Sequence, residues 1–101
     1  MITRTKTQLS IEELRPRLVP VLKKHHVSKA AIFGSFVTGA ARKMSDLDIL
    51  VEFSGKRSLL DLVALKFDLE AEINRKVDVV TYRSLDPLIK AIVLQQEVRV
   101  L

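Results

Sequence analysis

The chain has 101 residues, which suits one domain and leaves no room for two, and nearly half of them are apolar, enough for one modest core. The absence of cysteine excludes disulfides and thiolate metal sites. No apolar run nears the roughly 20 residues that span a bilayer, and the opening MITRTKTQLS lacks the apolar middle of a secretory signal. No membrane role and a cytoplasmic location are therefore expected. A formal net charge of +5 favours anionic partners, although the positive side chains are spread along the chain and serve solubility first.

Residues 1–9 read as a loose arm on a single domain spanning 1–101. Ser10 is positioned to cap a helix and Glu13 to close a capping box. Ile11, Leu14, Leu18, Val21 and Leu22 follow at helical spacing. Pro16 and Pro20 lie inside that stripe, where each removes a hydrogen bond, so the helix is expected to kink or break before it ends near Lys24. Val27 to Phe33 is a short apolar run and reads as a buried strand stopped by Gly34. A short helix or turn and then a loop are expected over 35–45.

Asp46 to Phe53 alternates clearly and is the strongest strand prediction. A long helix follows from Ser58 to Asn74, with Leu62, Leu65, Leu69 and Ile73 on its inner stripe. Lys76 to Thr81 reads as a third strand. Asp86 then caps a helix whose first turn holds Pro87. Its apolar stripe is Leu85, Leu88, Ile89, Ile92 and Val93. Val98 to Leu101 reads as a last short strand. The order predicts a small α/β layer, a mixed sheet with helices on one face.

Two features carry chemistry. Gly34-Ser35 directly follows a strand, with Gly39 four residues beyond the serine. Glycine lets backbone approach a ligand closely. A helix starting at Ser35 would aim N–H groups at an anion. The second feature is Ser45-Asp46-Leu47-Asp48. Residues i and i+2 of a strand share a face, with Cα atoms about 7 Å apart, so Asp46 and Asp48 project together while Leu47 and Ile49 enter the core. Two carboxylates so placed repel, and hard cations such as Mg²⁺ relieve the repulsion. Two ions about 4 Å apart can clamp the attacking and leaving oxygens of a phosphoryl or nucleotidyl transfer.

Asp78, in Val77-Asp78-Val79-Val80, is the best third acid, because a carboxylate buried among valines needs a partner or a metal. Glu52 is a weaker candidate further along the Asp48 face. His25 and His26 suit a helix C-terminus. Tyr82 reads as a sheet-edge aromatic or a surface on which a base stacks. Arg75, Lys76 and Arg83 are candidates for phosphate contact.

The segment GSFVTGAARKMSDLD resembles the signature of the minimal nucleotidyltransferases of the DNA polymerase beta superfamily: Gly-Ser, ten residues, then Asp-x-Asp. VDVVT supplies a third acid where that family has one, and the resemblance runs from about Val27 to Leu101. It implies a polymerase beta-like nucleotidyltransferase fold. Asp46, Asp48 and Asp78 would act as metal-binding and catalytic residues. Gly34, Ser35, Thr38, Gly39 and Ser45 would hold the nucleotide. The implied cofactor is Mg²⁺, two ions, with ATP as substrate. Many relatives carry arginine where this chain has Thr38, and Arg42 lies nearby.

Many such proteins are antitoxins paired with a HEPN-domain ribonuclease toxin. The resemblance thus implies transfer of AMP from ATP to a tyrosine of a HEPN partner. The alternative is a non-catalytic antitoxin that neutralises its partner by contact. A homodimer would also supply the acceptor surface that so small a chain lacks. The absence of a basic run or an aromatic platform argues against direct nucleic-acid binding.

Overall fold

The computed structural model describes residues 10–34 and 46–101. The arm expected over 1–9 and the short helix expected over 35–45 lie outside the described residues. The first helix, α1 (Ile11–Lys24), starts as its sequence dictates. The Ser10 hydroxyl accepts from the Glu13 N–H at 3.1 Å, and Glu13 Oε1 accepts from the Ser10 N–H at 2.9 Å.

The helix does not break at the prolines, because one helix runs through both Pro16 and Pro20. The two prolines are four residues apart and both exposed, whereas Leu14, Leu18 and Leu22 are buried. The carbonyls of Glu12 and Pro16, deprived of their N–H partners, thus belong to the side of the helix that water reaches.

Strand β1 (Val27–Phe33) pairs antiparallel with β2 (Leu47–Phe53), and β2 pairs parallel with β3 (Val77–Thr81). The parallel pair needs a crossover. This is α2 (Leu59–Ile73), capped by Ser58 and Asp61 at one end and closed by Asn74 in the left-handed conformation at the other. A single 3₁₀ turn (Tyr82–Ser84) leads to α3 (Pro87–Gln96), where the Asp86 carboxylate accepts from the Leu88 N–H at 2.9 Å. The last strand, β4 (Val98–Arg99), is shorter than expected and pairs antiparallel with β1, which completes the sheet order β3-β2-β1-β4.

Alternation divides the sheet into two faces. Ala30, Ile32, Leu47, Ile49, Val51 and Val77 point to one face and are buried against Leu14, Leu18 and Leu22 of α1 and Leu65, Leu69 and Ile73 of α2. The opposite face carries a smaller cluster of Leu50, Tyr82 and Val93, with Phe33, Val80 and Leu85 packed against it. Two described helices thus cover one face, while α3 touches the other through Val93.

The apolar stripe expected of α3 is largely exposed. Leu88 is 79% exposed, Ile89 53% and Ile92 58%. Helical spacing of apolar residues forms the helix, but most of that face is exposed among the described residues. Leu59, Leu60 and Phe67 on α2 are exposed as well.

Candidate functional site

The site is built at one end of the sheet, where β1 ends and the parallel pair β2 and β3 begins. Leu47 and Ile49 are fully buried, which turns Asp46 and Asp48 to the opposite, thinly covered face. Asp78 enters through the register, since its Cα pairs with that of Asp48 across the parallel strands. Neighbouring strands lie about 4.8 Å apart. The two acids are therefore side by side on one face, with Asp46 just before β2. The electrostatics agree: burial pushes the Asp48 carboxyl above the usual carboxylate range, and the charges of Asp78 and then Asp46 push it further.

One expectation about Asp78 is corrected. It is exposed, not buried among valines, because Val77 and Val79 turn to the core and Asp78 turns away. Its place in the site rests on register with Asp48, not on a burial penalty. Glu52 shares the Asp48 face but stands four residues along β2, about 13 Å away, apart from the three acids.

Gly34 completes the described part of the site. Phe33 pairs with Asp48, and Gly34 follows with a φ of +78°. A Cβ on Gly34 would overlap Asp48 Oδ2 and lie 3.3 Å from its Cγ. Only glycine both takes that backbone conformation cheaply and leaves room for the carboxylate. Ser35, Thr38, Gly39 and Ser45, as well as Arg42, lie outside the described residues.

These oxygen donors are of the kind that hard divalent cations prefer, and a cation there would offset both the burial and the neighbouring negative charges that raise the Asp48 pKa. Among the described residues, no three His, Cys, Asp or Glu side chains are already gathered to hold an ion. The three acids share a face without converging on one point.

The other sequence candidates have structural partners or lie elsewhere. His25 ends α1 and its Nε2 lies 2.6 Å from Asp68 Oδ2 on α2, which tethers the two helices. Tyr82 is buried, and its hydroxyl donates to Glu97 Oε1 at 2.9 Å. Lys76 lies just before β3, and its carbonyl accepts from the Leu47 N–H at 2.9 Å.

Sequence reading overlooked a concavity of about 700 Å³ at the carboxyl ends of β2 and β3, lined in part by Lys56, Arg57 and Arg83. The available signal was a pair of basic residues just after Gly55, in the turn that leaves one parallel strand. The carboxyl ends of parallel strands are where open α/β sheets commonly bind ligands.

Paired acids on β2 and β3, a glycine turn against them and a mixed sheet backed by two helices are the arrangement that the sequence resemblance implies. Residues 17–101 match the family model described as polymerase beta, nucleotidyltransferase, and the chain belongs to that family. A Methanocaldococcus jannaschii protein provisionally named a protein adenylyltransferase is 46% identical over 93 residues, covering 92% of this chain and all of that one. The protein adenylyltransferase MntA of Thermococcus cleftensis is 38% identical over 96 residues, covering 91% and 97%.

A solved structure provisionally described as a minimal nucleotidyltransferase superposes with a TM-score of 0.77 at 37% identity, covering 90% of this chain and 96% of that one. More distant structures share the fold. A toxin–antitoxin complex with AMP-PNP has a TM-score of 0.76 at 21% identity, covering 86% and 72%. The MNT antitoxin bound to a tri-AMPylated HEPN toxin from Shewanella oneidensis has a TM-score of 0.68 at 19% identity, covering 86% and 68%. Among the described residues, no helix is long and apolar enough to cross a membrane.

Proposed function

We propose that this nucleotidyltransferase moves AMP from ATP to a tyrosine hydroxyl of a HEPN-domain partner and thereby acts as its antitoxin. The observation that carries the reading is the Asp48–Asp78 pairing, with Asp46 close enough to raise the Asp48 pKa and Gly34 turned against the same carboxylate. The named adenylyltransferase relatives support the reaction. The AMP-PNP and AMPylated-toxin complexes, whose likeness is one of fold, suggest the nucleotide and the partner.

In this reading Asp46 and Asp48 hold Mg²⁺, and Asp78 completes the set. Two Mg²⁺ ions held there would supply charge neutralisation for the attacking and leaving oxygens. Gly34 turns against the Asp48 carboxylate, and in this reading Ser35, Thr38, Gly39 and Ser45 would join it in holding the triphosphate. The acceptor oxygen forms a bond to the α-phosphorus. The bond from that phosphorus to the bridging oxygen breaks, and pyrophosphate leaves. The acceptor proton passes to a carboxylate, in this reading Asp78, which is exposed and paired with Asp48 across the strands.

The large apolar side chains exposed on α2 and on α3 leave surface that a protein partner could cover. They also fit the second reading, neutralisation by contact alone. One assay separates the two. The protein is incubated with Mg²⁺, ATP labelled at the α-phosphate and a HEPN partner, and label on protein is followed by gel and mass spectrometry. Label on a partner tyrosine that disappears in the Asp46→Ala, Asp48→Ala variant is the expected result. A stable complex without label would sink the enzymatic reading and leave contact alone.

A further inference from the structure

We infer that the cleft at the carboxyl ends of β2 and β3 docks an acidic segment of the protein acceptor, an inference that rests on the transferase reading above. The cleft lies on the sheet end opposite Gly34 and the three acids. Lys56 and Arg57 enter it from the turn between β2 and α2, and Arg83 enters from the 3₁₀ turn after β3. All three are exposed. Gly55, with a φ of +77°, provides the reversal that brings Lys56 and Arg57 to the rim.

Their charge is open to a ligand. The ion pairs among the described residues use Arg17, Lys24, His25 and Lys66, and none takes Lys56, Arg57 or Arg83. Arg57 does lower the Asp61 pKa, but as a lesser cause behind the hydrogen bond from the Ser58 backbone. The capping box of α2 engages the Ser58 and Asp61 N–H groups, and the anion in the cleft is assigned to the basic side chains that line it.

The lining favours peptide over nucleic acid. Single-stranded nucleic acid needs an open ring on which a base can stack. The ring of Tyr82 is 7% exposed, Lys29 Nζ sits 4.5 Å from its centroid, and its hydroxyl is held by Glu97. Phe53 packs partly into the main core. Glu52, the acid in the lining, can accept an N–H from a peptide backbone, whereas a phosphate backbone has no donor for it. The distance also suits an acceptor. From Asp48 to Glu52 along β2 is about 13 Å, so about four extended residues separate a hydroxyl at the acids from a carboxylate in the cleft.

The test is the fluorescence anisotropy of a labelled oligoglutamate peptide on the purified protein, without nucleotide or partner. Binding should weaken with salt and fall at least about tenfold in Arg83→Glu and in Lys56→Glu, where like charge then faces like. Lys23→Glu on α1 makes the same charge change and should leave binding near the unmodified level. Circular dichroism should show all three variants folded. Equal loss in Lys23→Glu would overturn the proposal, as would displacement of the peptide by ATP, or tighter cleft-dependent binding of a short oligonucleotide.

A second arm uses the transfer assay. Arg83→Glu should raise KM for the protein acceptor and leave KM for ATP unchanged. No transfer by the unmodified protein would strike the transferase reading. Transfer that Arg83→Glu leaves untouched would strike the cleft.

Discussion

The backbone of Gly34 lies where the Asp48 carboxylate leaves no room for a side chain: a Cβ there would meet Oδ2 and stand 3.3 Å from Cγ. Gly34→Ala therefore has two costs of different kinds. The φ of +78° costs an alanine about 1–2 kcal/mol. The clash adds little to stability, because Asp48 is half-buried at the end of a short side chain and can turn. It should cost far more in rate. A displacement of about 1 Å in a reacting constellation can lose roughly 100-fold. Thermal unfolding should show a modest loss and the transfer assay a deep one. Full activity would mean that the Asp48 position seen here is not the working one.

Asp48 is itself a strained acid, and its pKa gives a signed prediction. Burial first, then Asp78 and Asp46, raise its pKa above 3.8. The folded state thus binds the proton more tightly than the unfolded chain, so the penalty is absent below 3.8 and grows as pH rises through the raised value. At neutral pH and without metal, Asp48→Asn should stabilise the fold. Solvent screening limits the gain to about 0.5 kcal/mol, which amounts to a Tm rise of about 2–4 °C. Mg²⁺ should raise the Tm of the unmodified protein and not that of the variant. A variant less stable than its parent without metal would show that Asp48 makes contacts this account omits.

Tyr82 ties the second face together, and it is the single tyrosine of the chain. Burial, with Glu97 beside it, pushes its phenol well above the ordinary 10.0. As pH rises above 10 the unfolded chain ionises and the folded one does not, so stability falls with alkalinity. Tyrosinate absorbance should appear together with unfolding rather than before it. Tyr82→Phe removes the hydroxyl that donates to Glu97 and should cost about 1 kcal/mol, a Tm loss of about 4–8 °C. Early ionisation in the folded protein would show that the ring is open to solvent.

What could be read from the sequence was local. Ser10 with Glu13, and Asp86 with Pro87, name helix starts because a cap needs only residues a few places apart. The alternation of β2 placed Asp46 and Asp48 on one face for the same reason. The pairing of Asp78 with Asp48 is not local. It depends on how far α2 carries the chain before β3 returns, and no short pattern encodes that register. The prolines did not end α1, because their cost depends on which side of the helix faces water. Lys56, Arg57 and Arg83 went unread as a group because only the parallel pairing of β2 and β3 brings two separate turns together.

The apolar stripe of α3 was legible as a helix and illegible as a surface, and this separates its roles in folding and in binding. Leu88 and Ile92 are 79% and 58% exposed, whereas Val93 is 8% exposed against Leu50 and Tyr82. Leu88→Glu with Ile92→Glu should leave stability within about 0.5 kcal/mol, as surface changes do. Val93→Ala should cost up to about 2 kcal/mol through lost burial. Binding to the proposed HEPN partner should show the reverse order. The double variant should weaken the complex at least about tenfold, because two charges would enter an apolar contact, while Val93→Ala binds normally once folded. Calorimetry on both variants decides the matter. An unchanged complex with the double variant would move the docking face to Leu59, Leu60 and Phe67 on α2, the other apolar surface that this small core leaves open.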